Sequence, residues 1–288
     1  GERGSCYLGK CWCDPGWGGA ACEQRTGEVV VPCRHPPFDA DEVPLLQEPG
    51  DRCMNVETWG RLRVSSRERH SAAQGCELDF WRKFAQPLGN MRQSVYFGGF
   101  AALPADLGDV LEVGAGPYTK LRLALEVVPK ETSVRSATLV DPLASKYMTD
   151  PAVACSYKNG TLCFAGSRQR DGGCVPTKVV STGAEEFVFA EEAYDTVIMV
   201  NTAEHVSDVV KIADSLVRAV KPGGFLVFAE CIYGPNFAAG DSHLCHPIIT
   251  TRKFWGMVLE ENFEPVHQVE PNAHNKNNLF FIGRKKQC

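Results

Sequence analysis

Short apolar runs alternate with helix-like stretches from residue 109 onward, and this alternation constrains the fold of the 288-residue chain more than any other feature. The strand candidates are 109–113, 136–141, 177–181, 194–200 and 224–230. Each is short and mostly apolar, as strands buried on both faces should be. The helical stretches are 118–127, 203–220 and 250–261. The pattern predicts an α/β domain with a mainly parallel sheet and helices on both faces.

The end of the chain breaks this alternation. Residues 263–270 and 277–285 both read as strands, and only a short polar loop, from Pro271 to Lys276, separates them. A crossover between parallel strands needs a dozen or more residues, so this loop is too short for one. We therefore expect an antiparallel hairpin at the C-terminus.

A glycine pair follows the first strand candidate, in Gly114-Ala115-Gly116-Pro117. Glycines at the end of a strand allow a sharp turn and the close approach of a ligand, and Pro117 is suited to open a helix. The alternative is a plain strand–helix corner without a ligand.

An acidic residue ends the second strand candidate. Asp141 lies 27 residues after Gly114, where an acid can accept hydrogen bonds from ribose hydroxyls. The alternative is a surface aspartate that caps the next helix. The dinucleotide fingerprint would place a third glycine near position 119, where this chain has Thr119. Its absence argues against NAD or FAD and favours a nucleoside ligand without phosphates.

Four segments together resemble class I S-adenosylmethionine-dependent methyltransferases, in the order and spacing of that family, over residues 75–286. They are 112–116, 140–142, 194–197 with 201–206, and 220–225. The resemblance implies S-adenosyl-L-methionine as cofactor. It also implies a Rossmann-like class I methyltransferase fold that ends in an antiparallel strand pair.

The resemblance also implies a role for each matching residue. The methionine part of the cofactor would contact Glu112, Gly114, Ala115 and Gly116, and the ribose would bind to Asp141. The adenine would be flanked by Pro142 and Leu143, with its edge next to Gly183, Ala184 and Glu185. Asn201 and Thr202 would close over the cofactor. Many relatives have Asp where this chain has Gly183. Backbone groups or Glu185 must then recognise the adenine amino group, or that contact is lost.

Three histidines are candidates for the base that removes a proton from an acceptor hydroxyl: His205, His243 and His246. Each follows a strand at the edge where open α/β sheets bind ligands, and histidine titrates near neutral pH. The alternative for any one of them is a structural or surface role. Asp241, His243 and His246 are close enough in sequence to suggest magnesium, but the spacing is not diagnostic, and we assign no metal.

The first 22 residues hold four of the chain's thirteen cysteines. The spacing Cys6-x4-Cys11-x-Cys13-x8-Cys22 resembles the C-terminal half of an EGF-like module, and that resemblance implies a Cys13–Cys22 disulfide. The first two cysteines of the family are missing. A zinc knuckle is the rival interpretation, but the spacing and the lack of a nearby histidine fit it poorly. Such clusters are typical of secreted modules.

The expected organisation is a partial EGF-like module (1–25), a Pro-rich linker or arm (26–53) and a methyltransferase domain (54–288). This domain has a helical lead-in (54–87) and an insertion (145–176). The insertion carries Cys155, Cys163 and Cys174, of which two are expected to pair, and the glycosylation sequon at Asn159. It reads equally as a lid or clamp and as a surface excursion without function.

The composition of the chain argues against two classes of binding partner, nucleic acids and membranes. The net charge of −5 and the lack of a basic face argue against nucleic acid. No apolar run approaches the roughly 20 residues that span a bilayer, so we expect no membrane contact within this chain. Because it begins at Gly1 inside a module pattern, we expect a mature or truncated product. The N-terminal module is a possible contact for a protein partner.

EGF-like fragments often accompany glycan-modifying enzymes, and residues 140–147 and the Glu77-x3-Trp81 helix resemble methyltransferases grouped with sugar modifiers. These resemblances imply O-methylation of a glycan or sugar hydroxyl in the secretory pathway (Golgi lumen or extracellular). Trp59, Trp81 and Trp255 are candidates for stacking on a sugar, with the core as the alternative for each. Two other functions remain open: methylation of a small metabolite such as a phenol, amine or thiol, and a non-catalytic protein that retains the fold.

Overall fold

The computed structural model describes residues 65–83, 99–128, 132–163, 174–232, 245–271 and 278–287, apart from 66, 249 and 251, and four short strands before residue 26. These four are β1 (Gly4–Tyr7), β2 (Lys10–Cys13), β3 (Trp17–Gly18) and β4 (Gln24–Arg25). They form two antiparallel pairs, β1 with β2 and β3 with β4. The predicted Cys13–Cys22 disulfide, the linker 26–53 and Trp59 lie outside the described residues or side chains.

One seven-stranded sheet forms the main domain. Its strands are β5 (Asp109–Val113), β6 (Ser136–Val140), β9 (Thr177–Val180), β10 (Tyr194–Val200), β11 (Val220–Cys231), β12 (Phe263–Val269) and β13 (Asn278–Lys285). All seven strand predictions are confirmed to within a few residues. A separate pair, β7 (Leu162–Cys163) and β8 (Cys174–Val175), lies in the insertion.

Within the described residues, five α-helices accompany the strands: α1 (Arg67–Lys83), α2 (Lys120–Val127), α3 (Ala144–Thr149), α4 (Val209–Ala219) and α5 (Arg252–Asn262). The predicted helix 203–220 is too long at its start. The Asp208 side chain accepts hydrogen bonds from the Val210 and Lys211 amides, so it caps α4 there, and residues 203–208 form turns.

The strand order across the sheet is β12-β13-β11-β10-β5-β6-β9. The five strands from β11 to β9 are parallel, whereas β13 runs antiparallel to both β11 and β12. This confirms the mainly parallel sheet with a C-terminal antiparallel hairpin. The order reverses between β5 and β10, and open α/β sheets bind ligands at the carboxyl ends of the strands on either side of such a reversal.

Both faces of the sheet are covered. Along β10, Val197 and Met199 join one buried apolar cluster with α4 and α5, while Ile198 and Val200 join the other with α2. The two-residue alternation of strand side chains produces this division. It also explains why the strands read as continuous apolar runs. The carboxyl edge of the sheet is therefore held rigidly from both sides.

Two further observations concern the domain as a whole. Among the described helices, none combines the length and apolarity that a bilayer crossing requires. Backbone contacts divide the chain into two compact units, residues 1–36 with 287–288, and residues 37–286. The functional groups considered below all lie in the second unit.

Candidate functional site

A cavity of about 590 Å³ opens at the carboxyl ends of β5, β6 and β10, where the strand order reverses. This volume lies within the range of small-molecule sites. Eleven of the twelve predicted cofactor residues line it: Gly114, Ala115, Gly116, Asp141, Pro142, Leu143, Gly183, Ala184, Glu185, Asn201 and Thr202. The predicted catalytic residues His205 and His246 line it as well. Three of the four sequence segments (112–116, 140–142 and the 201–206 part of the third) therefore meet at one cavity, whereas residues 220–225 do not line it.

The glycine loop after β5 forms the floor of this cavity. Gly114 and Gly116 have φ angles of 69° and 56°, which favour glycine. A Cβ atom on Gly114 would lie 2.1 Å from Cγ2 of Thr202, so the loop and the end of β10 touch there. On Gly116 the nearest atom would be Cζ2 of Trp81, at 3.9 Å. Gly114 thus serves close packing, whereas Gly116 borders open space.

Asp141 stands at the end of β6 and holds the glycine loop. One carboxylate oxygen accepts from the Gly116 amide at 2.9 Å and the other from the Leu143 amide at 2.8 Å. Burial raises the pKa of Asp141 to about 6, although the two hydrogen bonds act to lower it. Each oxygen can accept a second hydrogen bond, so the side chain can still meet a ribose hydroxyl from the cavity.

Glu112 differs from the other predicted cofactor residues, because it is fully buried and does not line the cavity. Its carboxylate accepts from the amides of Lys120 (2.5 Å) and Leu121 (3.1 Å), at the start of α2. Burial raises its pKa to about 7. The structure thus gives Glu112 the role of fixing α2 behind the glycine loop, while direct contact with a methionine group stays a prediction.

The segment Gly183-Ala184-Glu185, which the resemblance assigns to the adenine edge, borders the cavity. One oxygen of Glu185 accepts from the amide and hydroxyl of Ser207 and from the Asp208 amide. That carboxylate therefore anchors the turn before α4. Because Glu185 is engaged in this way, backbone groups of the segment are the better candidates to recognise an adenine amino group.

Asn201 and Thr202 end β10 beside the glycine loop. Asn201 adopts a φ of 55°, a left-handed conformation that asparagine tolerates better than most residues. The next two amides, of Thr202 and Ala203, donate to a carboxylate oxygen of Glu230 on β11. Burial first, and the charge of Glu204 second, raise the pKa of Glu230 well above its usual range. Sequence reasoning missed Glu230.

The two described histidine candidates meet in the lining of the same cavity. The rings of His205 and His246 lie 4.7 Å apart between centroids, edge to face. Nδ1 of His205 is 3.0 Å from the carbonyl oxygen of Cys245. A carbonyl only accepts, so Nδ1 carries the hydrogen. Burial lowers the pKa of His205 to about 4, and the ring is neutral at physiological pH. His243 lies outside the described residues.

Helix α1 forms one wall of the cavity, and Glu77 and Trp81 stand on its inner face. The Trp81 indole donates to Glu77 at 2.7 Å, and its ring lies 5.4 Å from that of Tyr118. Burial raises the pKa of Glu77. Trp81 can therefore meet a substrate. Trp255 cannot, because it is fully buried against Phe228.

Two tyrosines complete the cofactor end, and no motif pointed to either. The Tyr157 hydroxyl, from the insertion, donates to the carbonyl of Gly116 at 2.8 Å, and the neighbouring Ser156 hydroxyl donates to the Tyr118 carbonyl. The insertion thus clamps the glycine loop. The buried Tyr118 hydroxyl finds no hydrogen-bond partner among the described residues, although Tyr118 lines the cavity. A bound polar ligand would satisfy it.

A disulfide joins Cys76 on α1 to Cys245, whose carbonyl orients His205. The two cysteines are 169 residues apart in sequence, with Cα atoms 5.1 Å apart. It was not predicted, since connectivity cannot be read from spacing at such separation. Cys174 in the insertion is also disulfide-bonded, whereas Cys155 is free. The Cys76–Cys245 bond fixes α1 against the segment that carries His246.

Replacing both Cys76 and Cys245 by serine should lower the free energy of unfolding by about 2–4 kcal/mol, because the bond closes a long loop. Denaturant unfolding measures this. Cys155→Ser is the matched control and should change stability far less, since Cys155 is in no disulfide. Equal losses in the two variants would show that the Cys76–Cys245 bond does not constrain the chain.

Residues 136–228 match the family model described as a methyltransferase domain. The described domain has the class I methyltransferase fold. It is similar to a chain of the complex between the Haloferax volcanii Trm112 methyltransferase activator and its methyltransferase, at 13% identity, with 74% of this chain and 97% of that chain covered and a TM-score of 0.50. No curated protein sequence matches.

Two further solved structures are similar at lower TM-scores. One is the N-methyltransferase NodS of Bradyrhizobium japonicum WM9 with S-adenosylhomocysteine, at 14% identity and a TM-score of 0.48. That match covers 76% of this chain and 99% of NodS. The other is the 1,6-didemethyltoxoflavin-N1-methyltransferase of Burkholderia thailandensis, at 15% identity and a TM-score of 0.49. That match covers 78% of this chain and 92% of the other. The family match and the fold support an S-adenosylmethionine-dependent methyltransferase.

The residues at the cofactor end fit S-adenosylmethionine. The floor at Gly116 is free of side chain, Asp141 retains acceptor capacity, and the buried Tyr118 hydroxyl needs a partner. The ribose would lie by Asp141 and the adenine between Leu143 and Ala184. The methionine part would lie on the glycine loop. The same cavity continues from there to His205 and His246.

Proposed function

We propose that this protein is an S-adenosylmethionine-dependent methyltransferase that O-methylates a hydroxyl of a glycan or sugar in the secretory pathway. The observation that carries the proposal is the single cavity that runs from the glycine loop to a histidine pair. One end carries the groups that suit a nucleoside, and the other carries groups that suit proton removal from a hydroxyl.

The acceptor end supports a hydroxyl substrate. His205 is neutral, and its Nε2 is free of hydrogen because Nδ1 donates to Cys245. His246 lies beside it, with Nε2 3.4 Å from Oε1 of Glu204. A neutral imidazole can take the proton that a hydroxyl loses on methylation. Trp81, which also lines the cavity, offers an indole face on which a sugar ring can stack.

S-adenosylmethionine supplies a methyl group that is already activated on a sulfonium. The residues of this chain therefore need to align the acceptor oxygen, exclude water and remove one proton. Alignment falls to the lining of the cavity, to which both α1 and residues 201–206 contribute. The Cys76–Cys245 disulfide ties α1 to the segment that carries His246.

Two features support the secretory pathway. The first is the disulfide-bonded state of Cys76, Cys245 and Cys174, since such bonds persist in oxidising compartments. The second is the sequon: Asn159 is exposed and lies in a turn of the insertion with Gly160 at a φ of 68°. An exposed asparagine in a turn is accessible to glycosylation.

If the protein passes through the secretory pathway, Asn159 should carry an N-glycan. Protein secreted from eukaryotic cells should gain electrophoretic mobility on treatment with an N-glycosidase, and Asn159→Gln should remove that shift. Asn262→Gln is the control, because Asn262 is in no sequon and should leave the shift unchanged. An unglycosylated wild-type protein from the same cells would count against this location.

The acceptor is tested by transfer of a labelled methyl group from S-adenosylmethionine to a panel of glycans, phenols, amines and thiols. We expect label on glycan hydroxyls only, lost when Asp141 is replaced by alanine. Label on a phenol, amine or thiol instead would reject the sugar acceptor but keep the enzyme. No transfer to any acceptor, together with no binding of S-adenosylhomocysteine, would leave the non-catalytic alternative.

A further inference from the structure

We propose that Glu204, His205 and His246 form a binding site for a divalent transition-metal ion at the acceptor end of the cavity. The inference goes beyond the proposed function and, in its account of the acceptor, rests on it. Each residue offers one ligand atom, and these three atoms lie within 4.8 Å of one another. The two histidines line the cavity, so a fourth ligand would come from its interior.

The distances suit a metal ion better than direct hydrogen bonds. Oε1 of Glu204 is 3.9 Å from Nε2 of His205 and 3.4 Å from Nε2 of His246. The first distance is too long for a hydrogen bond, and the second is at its limit. Zinc lies about 2.1 Å from such atoms, which places tetrahedral ligands roughly 3.4 Å apart. The Glu204 oxygen is already near both rings, and the two histidine nitrogens must approach each other by up to about 1.4 Å to share one ion.

The orientation of His205 is the one that metal-binding histidines usually have. Its Nδ1–H donates to the Cys245 carbonyl, which fixes the tautomer and directs the Nε2 lone pair at the cluster. The backbone of His205 is held as well, since its amide donates to the Thr202 carbonyl and its carbonyl lies 3.0 Å from His70 Nε2. The ring therefore cannot turn away without breaking these contacts.

The two segments that carry the ligands are tied to each other. The Ile248 amide donates a hydrogen bond to the carbonyl of Glu204. This bond joins the segment that carries His246 to the segment that carries Glu204 and His205. The Cys76–Cys245 disulfide anchors the residue next to His246 to α1. Three protein ligands on a rigid frame, with one position facing a cavity, is the arrangement of catalytic metal sites.

Two histidines and one carboxylate suit zinc, cobalt, manganese or iron more than magnesium or calcium, which prefer oxygen ligands. At this position the ion would bind the acceptor oxygen and lower the pKa of its hydroxyl, whose proton then leaves to water. Without a metal, a neutral imidazole of this pair can act as the base; with the ion bound, both histidines would hold the ion and the ion would take over that role. This distinction can be tested without an acceptor.

The test uses the oxidised full chain, stripped with a chelator and titrated with Co²⁺. We expect one ion per chain and visible absorption of four-coordinate Co²⁺, with Zn²⁺ displacing it. Glu204→Gln, His205→Asn and His246→Gln should each weaken binding at least tenfold. His267→Gln is the matched control: His267 lies on β12, outside the cavity, and binding should be unchanged.

Two results would overturn the proposal: no stoichiometric Co²⁺ binding, or binding that the Glu204 and His246 variants leave intact. Calorimetry with S-adenosylhomocysteine on the same stripped protein keeps the two proposals apart. If the stripped protein binds that ligand but no metal, the metal site fails and the methyltransferase stands. If the stripped protein binds metal but not S-adenosylhomocysteine, the metal site stands and the methyltransferase proposal fails. Circular dichroism confirms that each variant is folded.

Discussion

Gly114→Ala should abolish cofactor binding and lower the free energy of unfolding by roughly 2–5 kcal/mol. Two costs add at this position: an L-residue at a φ of 69° is strained by about 1–2 kcal/mol, and overpacking a tight contact costs about 1–3 kcal/mol. The new Cβ would lie 2.1 Å from Cγ2 and 2.7 Å from Cβ of Thr202. Rotating the threonine cannot remove the second overlap, so the backbone must move.

Gly116→Ala is the matched control for this prediction. It has a similar φ of 56°, but its new Cβ would meet only Trp81 Cζ2 at 3.9 Å. Gly116→Ala should therefore lower the free energy of unfolding only by the backbone strain, about 1–2 kcal/mol. Denaturant unfolding compares the two. A double variant, Gly114→Ala with Thr202→Gly, should recover the overlap part of the loss. Equal destabilisation by the two alanines would contradict the close contact.

Asp141→Asn should weaken S-adenosylhomocysteine binding roughly tenfold to a hundredfold, since a lost charged hydrogen-bond partner costs about 1.5–3 kcal/mol. The asparagine amide would also oppose the Gly116 or Leu143 amide, donor against donor, and loosen the glycine loop. The measurement is the rise in melting temperature on adding the ligand, which should nearly vanish in the variant.

Asp195→Asn separates loss of the ligand from loss of the fold. Asp195 is also partly buried at a strand end, accepts from the Asp109 amide and pairs with Lys221 at 2.9 Å, but it does not line the cavity. It should lower the melting temperature without changing the ligand-induced rise. If both variants reduced that rise equally, the effect would be general instability, and Asp141 would have no specific role.

The fold could be predicted from the sequence because its strands are buried on both faces. Such strands read as apolar runs, and the polar connections between them are equally clear, so β5 and β10 were located to the residue. Helix starts were harder to place. Periodicity continued through residues 203–208, whereas the Asp208 side chain caps α4 five residues later than expected. The short α3 and the β7–β8 pair carry no pattern long enough to detect.

The site divides in a similar way. Residues on the glycine loop and at strand ends were predicted, because local backbone geometry demands them. Contacts between distant segments were not: Tyr157 reaches Gly116 across 41 residues, and Cys76 pairs with Cys245 across 169. Thr119 is a third case. It has a φ of 56°, which a β-branched residue rarely adopts, and its hydroxyl accepts from the Arg122 amide at the start of α2.

Calorimetric titration of the oxidised 288-residue chain with S-adenosylhomocysteine tests the central claim most directly. The cavity at the carboxyl ends of β5, β6 and β10 predicts one binding site per chain with a dissociation constant in the low micromolar range. Absence of binding at millimolar ligand, in protein with the circular dichroism of an α/β fold, would contradict the assignment of this cavity to the cofactor and with it the methyltransferase activity.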